Sequence, residues 1–230
     1  MSSQLALAIQ LNDEATLDDF CWTNNALLHQ QLTLSLAGEG ERLIYLWGET
    51  GTGKSHLLQA CCQAVNVNQS AIYLPLETFK TWEPCILEDL DKQAWISIDD
   101  LDAISTQGAW EEALFHLYNR VRDNGETRLI ISGKRPPNSM QINLPDLRSR
   151  LGWGLVIQLN ELSDGNKINT LQRRAKKRGF ELPTGVGQFL INRSSRNMHD
   201  LNTLLNRLDE ASLAAQRKIT IPFVKDVLSI

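Results

Sequence analysis

The sequence predicts an α/β fold built on a parallel sheet, followed by a smaller all-helical segment. Three observations carry that prediction. Between residues 43 and 159, short apolar runs alternate with helical stretches, the pattern of repeated strand–helix–strand units. A glycine-rich turn, Gly48–Ser55, separates the first run from the first helix. Beyond Leu159 no strand-like run follows.

Residues 1–19 lack a long apolar period and read as a tail leading into the domain. Leu-Ile-Tyr-Leu-Trp at 43–47 is apolar throughout, as a strand covered on both faces must be. Lys54–Ala64 reads as the helix after the turn. Ser70–Leu74, Trp95–Ile98, Leu129–Ser132 and Leu155–Leu159 read as the remaining four strands. Trp110–Asp123 is helical, because Trp110, Ala113, Leu114, Leu117, Tyr118 and Val121 fall on one face at three- and four-residue spacing. Four more helices are expected over Asp164–Arg178, Pro183–Arg193, Asn197–Gln216 and Pro222–Leu228. Pro183 and Pro222 suit first helical turns, and Gly179 suits a helix stop. The change of pattern puts a boundary near Ser163, giving a base over 20–162 and a helical domain over 163–230.

Composition narrows the function. The 230 residues are 42% apolar and 22% charged, enough for a real core and ordinary for a globular chain. The net charge of −4 argues against a protein that coats DNA. No apolar run approaches the roughly 20 residues of a membrane span, and Met-Ser-Ser-Gln does not begin like a secretory signal. Cys21, Cys61, Cys62 and Cys85 have no metal-site spacing, so a cytoplasmic chain with reduced thiols is expected. Charge is uneven: residues 165–218 hold 11 Lys/Arg against 4 Asp/Glu, and residues 77–112 hold 10 Asp/Glu against 2 Lys. Such a contrast fits surfaces that meet oppositely charged partners and fits solvated faces equally well.

Gly48-Glu49-Thr50-Gly51-Thr52-Gly53-Lys54-Ser55 matches the whole phosphate-loop pattern G-x-x-x-x-G-K-[ST] between a strand and a helix. The glycines let backbone N–H groups turn inward as an anion nest, and the next helix aims its positive end at the phosphates. Gly48, Thr50, Gly51, Thr52 and Gly53 should therefore cradle the nucleotide. Lys54 should reach its β- and γ-phosphates, and the Ser55 hydroxyl should hold Mg²⁺. The apolar strand Ala94–Ile98 runs into Asp99 and Asp100. An acid at this place holds the Mg²⁺ in phosphate-loop enzymes, the role expected of Asp99. Asp100 then stands where an attacking water would be oriented, or simply caps the next segment. Ser132, with Lys134 close behind, ends the following strand, either as a γ-phosphate sensor or as a plain exit into a loop.

Together with these motifs, Leu147-Arg148-Ser149-Arg150-Leu151-Gly152-Trp153-Gly154 resembles box VII of the AAA+ domain of the bacterial replication initiator DnaA, and Gln10–Phe20 resembles the segment that leads into that domain. The resemblance covers residues 10–230 and implies an AAA+ fold: a parallel five-stranded sheet flanked by helices, with a helical lid. It implies ADP or ATP as the cofactor, with Mg²⁺. The DNA-binding helix-turn-helix of DnaA has no counterpart before Ile230, so direct DNA binding is expected to be weak or absent. Gln4-Leu5-Ala6-Leu7-Ala8-Ile9 is similar to the peptide that docks on the sliding clamp, the DNA polymerase III β subunit. Gln4 would hydrogen-bond at a pocket mouth while Leu5, Leu7 and Ile9 supply apolar anchors. Taken alone, the six residues also suit an ordinary amphipathic tail.

This combination resembles the Hda group of DnaA-like proteins. It implies a negative regulator of replication initiation that docks on the DNA-loaded clamp and stimulates ATP hydrolysis by DnaA. Arg150 matches the arginine finger of box VII, and its plain alternative is a surface pair with Asp146. His199 stands where the family places the lid arginine. Phe20 and Trp22 resemble residues near the adenine, or are core. Self-association through the finger face is expected. A self-contained ATPase or loader, and a non-catalytic clamp-recruited module, are the alternatives.

Overall fold

In the computed structural model, residues 11–229 are described. The clamp-like peptide, with Gln4, Leu5, Leu7 and Ile9, lies outside them. Five parallel strands form one sheet: β1 (Leu43–Trp47), β2 (Ala71–Pro75), β3 (Trp95–Asp99), β4 (Arg128–Gly133) and β5 (Leu155–Gln158), in the order β2-β3-β4-β1-β5. Strand β3 is buried at every position, as a central parallel strand covered by helices on both faces must be.

The elements follow the expected order with small shifts. Helix α2 spans Lys54–Ala64 and α4 spans Gly108–Asn124, the latter ending at Gly125 in the left-handed region. Two helices escape the periodicity argument. Helix α1 (Ala26–Leu36) buries only Leu28, Leu32 and Ser35, a stripe too narrow to stand out. Helix α5 (Pro145–Leu151) is two turns long, too short for a period to show, although Pro145 marks its first turn. Between them lie a one-turn α3 (Leu76–Phe79) and 3₁₀ turns at Pro84–Leu87, Leu90–Lys92 and Leu101–Ile104.

After β5 come α6 (Asp164–Lys177), α7 (Thr184–Arg193), α8 (Met198–Ala215) and α9 (Ile221–Leu228). Side chains cap three of them: Ser163 accepts the Asn166 N–H, Asn197 the His199 N–H and Thr220 the Phe223 N–H, each satisfying a donor that the helix cannot. Pro183 occupies the cap of α7 rather than its first turn.

Contacts divide the chain into two units. The first runs through Asp18, then Asn25–Glu49 and Lys54–Leu159; the second holds Asp19–Asn24, Thr50–Gly53 and everything from Asn160 on. The core of the first includes Tyr45, Ile96, Ile98, Leu114, Leu117 and Ile131. That of the second includes Leu171, Leu190, Leu201, Leu205 and Phe223. No helix among the described residues is long and apolar enough to cross a membrane, and all four cysteines are free thiols.

Candidate functional site

Strand β1 ends at Trp47, and the Gly48 N–H donates to Gly133 O at 3.2 Å. The chain then turns through Gly51 (φ +85°) and Gly53 (φ +101°), left-handed conformations that glycine adopts without penalty. Helix α2 starts at Lys54, whose side chain is 6% exposed. Its ammonium donates to Gly48 O (2.8 Å) and Glu49 O (3.0 Å). Burial pulls the Lys54 pKa down, and the nearby Asp100, Asp99 and Asp102 oppose that pull. The lysine is thus held at the loop on carbonyls that an incoming phosphate can replace.

Asp99 closes β3 and is 1% exposed. Three donors serve it. Tyr73 Oη donates to Oδ2 at 2.7 Å, Ser132 Oγ donates to Oδ1, and the Asp100 N–H reaches Oδ1 at 3.1 Å. Tyr73 comes from β2 and Ser132 from β4, the two neighbours of β3. Burial and the Asp99 charge hold the Tyr73 phenol well above its ordinary range, so the group stays a donor. Asp100 adopts a left-handed conformation (φ +56°), and its N–H also points at Ser132 Oγ, 3.1 Å away. Its side chain makes no cap hydrogen bond. Burial first, and the Asp99 charge second, raise the Asp100 carboxyl above the ordinary carboxylate value. Asp102 Oδ2 accepts the Lys134 N–H at 2.7 Å. Lys54, Asp99, Asp100 and Ser132 therefore gather at one end of the sheet. The chemistry of this set fits a metal–phosphate ligand: Ser55, beside Lys54 in the first turn of α2, supplies a hydroxyl, and Asp99 supplies a carboxylate. Mg²⁺ commonly takes one or two carboxylates and fills its other positions with phosphate oxygens and water.

Residues 50–53 of the loop belong to the second unit. The Asn197 carboxamide lies directly over Gly51: a Cβ there would come within 2.3 Å of Asn197 Oδ1. A Cβ on Gly53 would come within 3.0 Å of the Phe20 ring, and Phe20 stacks at a tilt on Trp22 with centroids 4.6 Å apart. Lys177 pairs with Asp19 at 2.6 Å, and Arg173 donates to Asp19 O at 2.9 Å. His199 is exposed and donates its N–H to Asn197 Oδ1 at 2.8 Å. Asn197, two residues before His199, is the side chain that meets the loop.

Arg150 lies at the far end of α5. The start of that helix is fixed by Glu111, 1% exposed on α4. Its carboxylate accepts the N–H groups of Thr106 (2.9 Å), Asn143 (3.2 Å) and Leu144 (2.8 Å). Arg150 makes no ion pair with Asp146. Its guanidinium stands 3.9 Å from the Trp153 ring centre and 6.0 Å from that of Phe115. Its Nη1 is buried with no hydrogen-bond partner.

Sequence reasoning missed Tyr73, Asn197, Glu111 and Trp153. A signal existed for Glu111: it falls three residues before Leu114 and seven before Tyr118, on the apolar stripe of α4, where an acid must find buried donors. Tyr73 carries no such mark, because its partner is set by strand order.

A phosphate loop after the second-last-ordered strand of a β2-β3-β4-β1-β5 sheet, with a helical C-terminal unit, defines an AAA+ nucleotide-binding protein. Family comparison is consistent with that class and narrower. Residues 11–158 match the model of the bacterial DnaA ATPase domain, and residues 164–228 match that of the Hda lid domain. The chain belongs to the DnaA ATPase-domain family and carries a lid of the Hda type. An uncharacterized protein of Haemophilus influenzae is 43% identical over 231 residues, the whole of both chains. Domain III of the Thermotoga maritima initiator DnaA is similar in fold (TM-score 0.81, 21% identity, 96% of this chain and 98% of that one). So are AMPPCP-bound DnaA of Aquifex aeolicus (TM-score 0.70, 22% identity, 86% and 67%) and the Thermotoga maritima Holliday-junction motor RuvB (TM-score 0.71, 16% identity, 96% and 73%).

Proposed function

We propose that this protein is a negative regulator of replication initiation that binds an adenine nucleotide, docks on the DNA-loaded sliding clamp and stimulates ATP hydrolysis by DnaA, leaving DnaA–ADP. The single observation that carries the reading is Arg150. It is a cation at the end of a firmly anchored helix, and no carboxylate among the described residues engages it. An arginine supplied in trans to a phosphoryl-transfer site stabilises the charge on the transferring group and accelerates hydrolysis by about 10³–10⁵-fold in other systems. The match to the Hda lid supports the same reading, as does the solved DnaA that carries an ATP analogue.

Within the protein's own site, Gly48, Thr50, Gly51, Thr52 and Gly53 would cradle the phosphates, with Lys54 on the terminal ones. Ser55 and Asp99 would hold Mg²⁺, which neutralises phosphate charge when bound. Asp100 is one methylene shorter than the glutamate that many such ATPases use, which sets it further from an attacking water. The nucleotide then serves mainly as a stabilising ligand, and His199 or Asn197 senses it from the lid. Gln4, Leu5, Leu7 and Ile9 would bind the clamp.

The test is ATP hydrolysis by DnaA–ATP in the presence of DNA-loaded clamp, with and without this protein. A clamp-dependent rise that disappears in Arg150→Ala, while nucleotide binding persists, is the expected result. Unchanged stimulation by Arg150→Ala overturns the arginine assignment. Multiple turnovers by the protein alone would instead favour a self-contained ATPase.

A further inference from the structure

Arg150 is half-buried, and it is held in an unusual way for an arginine. Among the described residues it forms no side-chain hydrogen bond and no ion pair, although Asp146 sits one turn earlier on the same helix. What it has is an aromatic surface. Helix α5 ends at Leu151, and the Trp153 N–H donates to Arg150 O at 3.0 Å. That turn brings the indole under the guanidinium, 3.9 Å from centroid to Cζ. Trp153 is itself 60% exposed, so core packing does not account for its position.

The two modes of holding an arginine have different consequences. A carboxylate engages the in-plane N–H donors and neutralises the charge. An aromatic face engages the π surface and leaves those donors and the charge available. It also narrows the rotamers of a long side chain that would otherwise have to be ordered at the moment of use.

We propose that Trp153 is a positioning residue for Arg150: its indole pre-orders the guanidinium while leaving the N–H donors uncommitted, so that the arginine is delivered in one arrangement to a phosphate of a second nucleotide-binding protein. The proposal rests on the functional reading given above and adds to it the device that orients the arginine. The Phe115 ring on α4 also lies near the guanidinium, 6.0 Å from Cζ to its centroid. Glu111 holds the start of α5 through the Leu144 N–H, so the helix that carries the stack is itself fixed.

The experiment pairs two readouts on Trp153→Leu, Trp153→Phe and Arg150→Ala. The first is the side-chain Nε–H resonance of Arg150 in ¹⁵N-labelled protein, which the indole ring current shifts upfield. The shift is expected to vanish in Trp153→Leu and to persist in part in Trp153→Phe. The second is clamp-dependent stimulation of DnaA–ATP hydrolysis, titrated with this protein. A cation–π contact at an exposed site corresponds to about a two- to fivefold change. Trp153→Leu should therefore lower the maximal rate by about that factor without moving the half-saturating concentration, and Trp153→Phe should recover most of the loss. If Arg150→Ala abolishes stimulation while Trp153→Leu matches wild type, positioning by Trp153 is refuted and the functional reading stands. A change confined to the half-saturating concentration makes Trp153 a contact surface and also refutes positioning. If Arg150→Ala itself stimulates normally, both fail together.

Discussion

The phosphate end of the sheet and the arginine-bearing end of α5 treat charge in opposite ways. At the first, Lys54 and Asp99 both have partners inside the chain. Lys54 is bound to two loop carbonyls, and Asp99 receives a phenol, a hydroxyl and a backbone amide. At the second, Arg150 has no polar partner among the described residues and rests on Trp153 instead. A satisfied buried cluster is rigid and costly to disturb. A cation on an aromatic platform, with its buried Nη1 unpartnered, keeps hydrogen-bonding capacity that the described residues do not use. Under the proposed function the difference matches the source of each region's ligand: the first would hold the protein's own nucleotide, and the second would address that of another molecule.

The sharpest way to break the contrast is to remove a charge from the satisfied end. Lys54→Ala should abolish nucleotide binding, whereas Arg150→Ala should leave it intact. At an ADP concentration a hundredfold above Kd, the wild type gains about 2.7 kcal/mol of stability. Lys54→Ala should show none of this gain in a thermal or denaturant titration with ADP. Equal stabilisation of both variants would mean that the two ends do not differ as described.

A smaller effect tests whether the open end is truly anchored by a satisfied one. In Glu111→Gln, one carboxylate oxygen becomes an NH₂ that faces backbone N–H donors. Losing charged hydrogen bonds of this kind costs about 1.5–3 kcal/mol, so urea unfolding should shift by that amount at unchanged m-value. The stimulation that depends on Arg150 should weaken too, since Leu144 and the start of α5 are released. A variant as stable as wild type would show that the three N–H contacts to Glu111 are not what fixes the helix.

Much of this arrangement was open to reading in the sequence, and what was hidden has a common cause. The strands show because each is a short apolar run between polar turns, and the phosphate loop shows because its pattern is local. Helix α1 does not show, since Leu28 and Leu32 alone bury its apolar face. The partners of Asp99 do not show either. Tyr73 and Ser132 are far apart in the chain and meet only because β2 and β4 flank β3, and strand order is not a local property. Asn197 was passed over for His199 because a family position suggested the latter, whereas the close approach to Gly51 belongs to the helix cap. Trp153 lies three residues from Arg150, yet its stacking needs the turn after α5, which periodicity does not reach.

The smallest effect concerns Asp100, the one member of the satisfied end whose charge is poorly served. Its N–H is occupied, but its carboxyl is raised in pKa by burial and by Asp99. Ionising it therefore costs more in the folded chain than in the unfolded one. Between the ordinary carboxylate pKa and the raised folded value, the native state binds more protons than the unfolded state, so this group's contribution to stability falls as pH rises through that window. Asp100→Asn removes the ionisation and tolerates the left-handed backbone at this position. The variant should be more stable than wild type at neutral pH, and the gain should shrink as pH falls below the ordinary carboxylate range. Denaturant unfolding at several pH values, without nucleotide, measures it. A gain independent of pH would assign the effect to the backbone rather than to the charge. A loss at neutral pH would show that the Asp100 carboxylate is stabilised by Lys54, and would move it fully into the satisfied cluster beside Asp99.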